Sequence, residues 1–158
     1  NSALVKGVNR AWDAGLVVVV AAGNNGPRTM SITTPGISRK VITVGCSDDD
    51  REVLVGGNRM VDYSGRGPTA ACICKPDLVA PGCSVVSCSS RADKYTIKSG
   101  TSMSTPIVSG AVALLLERFP DMSNKDVKLR LRESSVDIGL PRNQQGWGLL
   151  DVGKMLER

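Results

Sequence analysis

No histidine occurs anywhere in these 158 residues. That absence removes the side chain that most often serves as general base near neutral pH, so a self-contained serine–histidine–aspartate relay and a histidine-bearing zinc site are both excluded. Aromatic residues are scarce too, at 3%. The 20 Lys and Arg, which set a net charge of +5, are spread along the chain with nothing to interleave for base stacking, and no nucleic-acid partner is expected. Long apolar runs are missing: Leu16 to Ala22 is the longest outside glycine, well short of the ~20 residues that span a bilayer. No membrane partner is expected, and no targeting segment can be read behind Asn1.

What is present fits one globular domain, at 41% hydrophobic and 22% charged. Cys46, Cys72, Cys74, Cys83 and Cys88 form an odd set that suits reduced thiols better than a closed disulfide framework. The Cys72-Ile73-Cys74 spacing is tighter than the two to four residues usual between zinc ligands. The thiols therefore read as small hydrophobes rather than a four-thiolate site.

Leu4, Val8, Ala11 and Trp12 recur at helical spacing between an N-cap at Ser2 and a stop at Gly15, which predicts a helix to about Ala14. Leu16–Ala22 follows as a β-branched run without polar alternation, the pattern of a strand buried on both faces of a parallel sheet. Val41–Cys46 reads as a second such strand, and Lys75–Gly82 holds a short strand bracketed by prolines. Residues 47–67 suggest a surface excursion with one hairpin at Gly56-Gly57-Asn58. Ser84–Cys88 and Tyr95–Lys98 suggest another, turning through residues 89–93. The helix after Ser99-Gly100-Thr101-Ser102-Met103-Ser104-Thr105-Pro106 is apolar nearly all round and belongs in the middle of the domain. Two helices follow, opened by Ser123 with Asp126 and by Asp151. The class is α/β.

Two residues stand where chemistry could be done. Ser102 puts a hydroxyl at the mouth of the buried helix, where unpaired N–H groups and the positive end of the helix dipole favour a developing oxyanion. A plainer reading has Ser102, Ser104 and Thr105 merely capping the helix, with Pro106 in its first turn. Asn24 lies where a buried strand delivers its C-terminal end, the edge at which open α/β sheets bind ligands; it could equally belong to the Asn25-Gly26 turn. A phosphate-cradling loop at Gly23–Gly26 fails, because Pro27 and a loop replace the helix that a dinucleotide fingerprint requires.

The segment Gly100–Pro106 resembles the nucleophile motif of the subtilisin-like serine proteases. Val18–Gly26, Thr34-Pro35-Gly36 through Val41–Gly45, Tyr63-Ser64-Gly65-Arg66-Gly67-Pro68, Lys75–Gly82 and Gly146-Trp147-Gly148 match further landmarks of that family in order. Within the family the chain looks most like the bacterial intracellular alkaline protease branch. The resemblance implies a three-layer subtilisin-like α/β fold with a mostly parallel sheet and a central buried helix after the nucleophile. It also implies a serine endopeptidase acting by acyl transfer. Ser102 would be the nucleophile and Asn24 the side-chain oxyanion donor. Ala21, Ala22 and Gly23 would form one wall of the primary specificity pocket, with Thr33 near its floor and the Tyr95 to Gly100 region approaching the substrate just before the nucleophile. No cofactor is implied for the chemistry, although structural calcium is compatible with the parent. The implied partners are a polypeptide substrate and the N-terminal half of the same domain.

One departure is large. The family's aspartate and histidine lie in the N-terminal part of the catalytic domain, before the point that corresponds to Asn1, so residues 1–158 read as its C-terminal portion. The parent is expected to be active and this piece alone inactive. Two further expectations follow: self-association of the isolated chain, and a cytoplasmic location, favoured over a secreted one by the odd cysteine count and the branch resemblance. The rival is a non-catalytic module that keeps the fold as a scaffold or interaction domain.

Overall fold

The structure is a computed structural model that describes residues 2–90 and 94–157; residues 91–93 of the expected hairpin turn lie outside that range. Three parallel strands form the main sheet in the order β1 (Val19–Ala21), β2 (Ile42–Cys46) and β5 (Leu78–Ala80). Two antiparallel ribbons stand apart from it, β3 (Val53–Val55) with β4 (Asn58–Met60), and β6 (Val85–Cys88) with β7 (Tyr95–Lys98). The helices are α1 (Ala3–Asp13), α2 (Thr101–Arg118), α3 (Asn124–Ser134), α4 (Arg142–Gln145) and α5 (Val152–Leu156).

Caps fall where local chemistry puts them. The Ser2 hydroxyl accepts from the Leu4 N–H, Ser123 and Asp126 close a reciprocal capping box, and the Asp151 carboxylate accepts from the Lys154 N–H. Glycine ends α1 at a φ of 93° and makes the β3–β4 turn at Gly56 and Gly57, with φ of 59° and 90°. The four-residue helix α4 carries no sequence signal strong enough to announce it.

β2 is the centre of the domain and is buried at every residue. Its Ile42 and Val44 join Leu78, Ala80 and the Val108, Ala111, Val112 and Leu115 face of α2 in the main core. The opposite face of the sheet is covered by loops: the Thr43 hydroxyl donates to the Gly36 carbonyl, and a Cβ on Gly45 would meet Ser64 and Pro76.

Three expectations need correcting. β1 is half-buried rather than buried on both faces, because no strand among the described residues lies beyond it. Helix α2 is buried on one face only, with Leu114 49% exposed, because nothing described covers its other side. Pro106 lies not in the first turn of α2 but as its sixth residue, where it leaves the Ser102 carbonyl without its helical donor.

Beside β5 sits a buried charge cluster. The Asp77 carboxylate accepts from the Thr43 N–H at 2.7 Å and pairs with Lys75, whose ammonium also donates to the Val41 carbonyl. Lys128 lies 3.5 Å from the other Asp77 oxygen and donates to the carbonyls of Arg39, Lys40 and Val41. Burial lowers the Lys75 pKa to about 8 against the pull of Asp77, and lowers that of Lys128 as well. All five cysteines are free. No helix among the described residues is long and apolar enough to cross a membrane.

Candidate active site

Asn24 lies three residues past the end of β1 and α2 begins at Thr101, and the two meet at the C-terminal edge of the sheet. Thr101 is the joint: its backbone N–H and its hydroxyl both donate to Asn24 Oδ1, each at 3.0 Å, while the same hydroxyl accepts from the Gly23 N–H at 3.2 Å. With Oδ1 occupied, the amide cannot turn over without losing both bonds. Nδ2 is therefore presented as the free donor, with no partner among the described residues.

Gly100 makes the approach possible. It caps α2 at a φ of 141°, and a Cβ there would stand 3.3 Å from Asn24 Nδ2. Its N–H donates to the Gly82 carbonyl; Gly82 and Cys83 in turn donate their N–H groups to the Asp48 carboxylate at 2.8 and 3.1 Å. The loop that leads into α2 at Gly100 is thus tied to the end of β2. Ser102 is exposed in the first turn of α2, where its backbone N–H is among the donors that a helix leaves unpaired. Asn24 and Ser102 line one cavity of about 470 Å³. A carbonyl oxygen placed there meets an amide donor, a helix N-terminus and a hydroxyl, which is a constellation for stabilising an oxyanion.

These residues match the Subtilase family of S8 peptidases over positions 1–148. The chain belongs to the subtilase family. It is 42% identical over 145 residues to the serine protease AprX of Bacillus subtilis (strain 168), covering 84% of this chain and 33% of that protein. Subtilisin DY of Bacillus licheniformis is 34% identical over 154 residues, covering 96% of this chain and 51% of the subtilisin. The solved structure of sphericase superposes with a TM-score of 0.79 at 32% identity, over 96% of this chain and 53% of that one. The chain thus spans between a third and about half the length of these relatives. The expected subtilisin-like α/β fold is the fold observed.

Around the Gly100–Pro106 segment of this subtilase chain, the other candidate residues are placed as follows. Ala21 ends β1 half-buried, and Gly23 is half-buried at a φ of 95°. Ala22 has no exposed surface: its N–H donates to the Val44 carbonyl and its own carbonyl accepts from the Thr33 N–H at 2.8 Å, so it anchors the segment from behind. Thr33 stacks on Gly23, filling the space that a Cβ would need. The Ser102 hydroxyl has no hydrogen-bond partner among the described residues, and no imidazole exists in the chain to supply one. Among the described residues no cluster of three or more acidic, histidine or cysteine side chains is placed to hold a metal ion.

Thr101 escaped the sequence reading. It precedes Ser102 directly, but nothing local shows that its hydroxyl bonds a residue 77 positions away. Val55 escaped for the same reason; its Cγ1 lies 3.7 Å from where a Gly100 Cβ would be.

Behind the site, Cys46 and Tyr63 share a buried contact of 3.2 Å. Burial pushes the Cys46 thiol up to about 12 and raises Tyr63 as well, so both stay protonated and neither supplies a base.

Proposed function

We propose that Ser102 is the nucleophile, and Asn24 the side-chain oxyanion donor, of a serine endopeptidase of which this chain is the C-terminal portion of the catalytic domain. The Ser102 Oγ forms a bond to the peptide carbonyl carbon while the Asn24 amide and the Ser102 N–H hold the developing oxyanion. The C–N bond then breaks, and the serine proton ends on the departing amine. Water reverses the sequence to release the acyl group. Proton transfer requires a base that this chain does not contain, so the N-terminal half of the domain is its necessary partner. Ala21, Gly23 and Thr33 border the acyl side chain, with Ala22 and Gly100 holding the walls. No cofactor takes part, and the substrate is a polypeptide. Five free thiols suit a reducing, cytoplasmic setting.

The observation that carries this reading is the locked Asn24 amide sharing one cavity with an exposed Ser102 at a helix N-terminus. In the full protein, Ser102→Ala should reduce peptide p-nitroanilide hydrolysis on the order of a million-fold, the effect that removing the nucleophile has in subtilisin. Residues 1–158 alone should give turnover equal to their own Ser102→Ala control. Ser102-dependent turnover by the isolated chain would reveal a base elsewhere, with a lysine the first suspect.

The rival reading is a scaffold or interaction module that retains the fold without catalysis. Full-length protein that neither hydrolyses peptides nor reacts with a serine-directed fluorophosphonate would establish it.

A further inference from the structure

A cavity of about 210 Å³ lies among α3, α4 and the segments that flank α4, lined by Arg132, Asp137, Arg142, Gln145, Gly146 and Trp147. It shares no residue with the cavity of Asn24 and Ser102. Its volume falls below the roughly 300–1,000 Å³ of pockets that take drug-sized ligands, so its occupant is small.

The walls are held from within the domain. Gln145 is 4% exposed and uses both ends of its amide: Oε1 accepts from the Ile138 N–H at 3.0 Å, and Nε2 donates to the Leu140 carbonyl and to Asp137 Oδ1. The Gly139 N–H donates to the same Asp137 oxygen at 2.8 Å, whereas Asp137 Oδ2 accepts no hydrogen bond among the described residues. These bonds, Gly139 foremost, hold the Asp137 carboxyl below the usual carboxylate range, so it is charged at neutral pH. Gly146 packs on the Asp77 carbonyl at a φ of 63°, and the Trp147 N–H donates to that carbonyl at 2.7 Å, which fixes the aromatic wall to β5.

Three charges border this space unpaired. Among the described residues, the Arg132 and Arg142 guanidiniums form neither an ion pair nor a hydrogen bond. Arg142 is near enough to help lower the Asp137 pKa, yet the two stand beyond ion-pair distance. A simple anion held by the arginines would meet the Asp137 carboxylate as a like charge. A small molecule with an anionic end and a cationic end satisfies all three groups.

We propose that this cavity binds a free α-amino acid as its zwitterion, with the carboxylate at Arg132 and Arg142, the ammonium at Asp137 Oδ2 and an apolar side chain against Trp147. Arginine suits the first role because its planar fork matches a carboxylate. The half-buried indole supplies apolar area beside the charges.

The test is an amide-resolved NMR titration of the chain at neutral pH with four probes at millimolar concentration: L-leucine, L-leucinamide, N-acetyl-L-leucine and inorganic phosphate. L-leucine should shift the amides of Gly139, Gln145 and Trp147 and the Trp147 indole N–H saturably. Leucinamide, which lacks the carboxylate, and N-acetyl-leucine, which lacks the ammonium, should each bind roughly tenfold more weakly or worse, the loss of a hydrogen bond to a charged group. Arg132→Gln and Arg142→Gln should each weaken L-leucine roughly three- to fivefold, as expected for an exposed charge pair. Both side chains are exposed, so signals away from the cavity should stay in place. Asp137→Asn, which keeps an oxygen for Gly139 and Gln145, should abolish the preference for L-leucine over N-acetyl-leucine. No saturable shift with L-leucine, or equal binding of leucinamide, overturns the proposal. Phosphate or N-acetyl-leucine binding at these residues as tightly as L-leucine also overturns it, since the cavity would then be a plain anion site.

Discussion

Along β5 the sheet is continued: the Val79 N–H donates to the Gly148 carbonyl, the Leu150 N–H donates to the Val79 carbonyl, and Leu149 also bridges to Val136. Along β1, Val19, Val20 and Ala21 are half-buried with no strand beyond them among the described residues, and the Leu114 side of α2 is uncovered. The same sheet therefore has one flank where each strand residue is buried and one where none is. The buried flank also carries the charge cluster around Asp77, which only a closed interior can hold in place. An exposed flank of half-buried valines is a surface that another polypeptide would complete, since unpaired strand edges and contiguous apolar patches both favour association.

The sharpest break in this contrast should come from Asp77→Asn. Lys75 and Lys128 would lose the carboxylate that compensates them in the interior, and urea unfolding should show a loss of roughly 3–5 kcal/mol. Next come two leucines one residue apart on α2. Leu115 is fully buried, and Leu115→Ala should cost about 2–5 kcal/mol; a loss under about 1 kcal/mol would mean that the α2 core contact is loose.

A smaller effect is the pH dependence of the closed flank. Below about pH 8 Lys75 is protonated in both the folded and the unfolded chain. Above it the folded chain releases that proton, while the unfolded chain holds its own up to the ordinary lysine value of 10.5. The unfolded state then binds more protons, and stability from this group rises with pH between about 8 and 10.5. Cys46 works against it above 9, because its thiol stays protonated only in the folded chain. Urea midpoints at pH 7.5 and 8.5 should therefore rise in the parent sequence relative to Lys75→Met; a constant difference would contradict the assigned titration.

The smallest change in stability belongs to the open flank. Leu114→Ser should move unfolding by no more than about 0.5 kcal/mol. It should nonetheless shift the monomer–dimer balance seen by sedimentation velocity across a dilution series, where the unaltered chain is expected to form a dimer or larger. A monomer at every concentration would show that this flank does not recruit a second copy.

Much of the fold was legible because its signals are local. The caps at Ser2, Ser123 and Asp151, the Gly56-Gly57 turn and the hydrophobic run of β2 each depend on a few neighbouring residues, and each lies where the pattern put it. The β1 run is as apolar as β2, yet the two differ in burial, since burial depends on what packs alongside rather than on the strand's own composition. In the candidate site, Ser102 and Asn24 could be picked out from motif and position. Thr101 and Val55 could not, because their importance lies in contacts between segments far apart along the chain.

By itself, the sequence determined the order of the helices and strands apart from the short α4, the seat of a hydroxyl at a helix N-terminus, and the absence of any imidazole base. Those are consequences of residue identity and short-range spacing. Only the tertiary structure decided that Thr101 locks the Asn24 amide across 77 positions, that two lysines share the Asp77 carboxylate, and that one flank of the sheet is closed while the other is open. Hydrogen bonds and packing act over a few ångströms, and the chain brings such residues within that range only once it has folded.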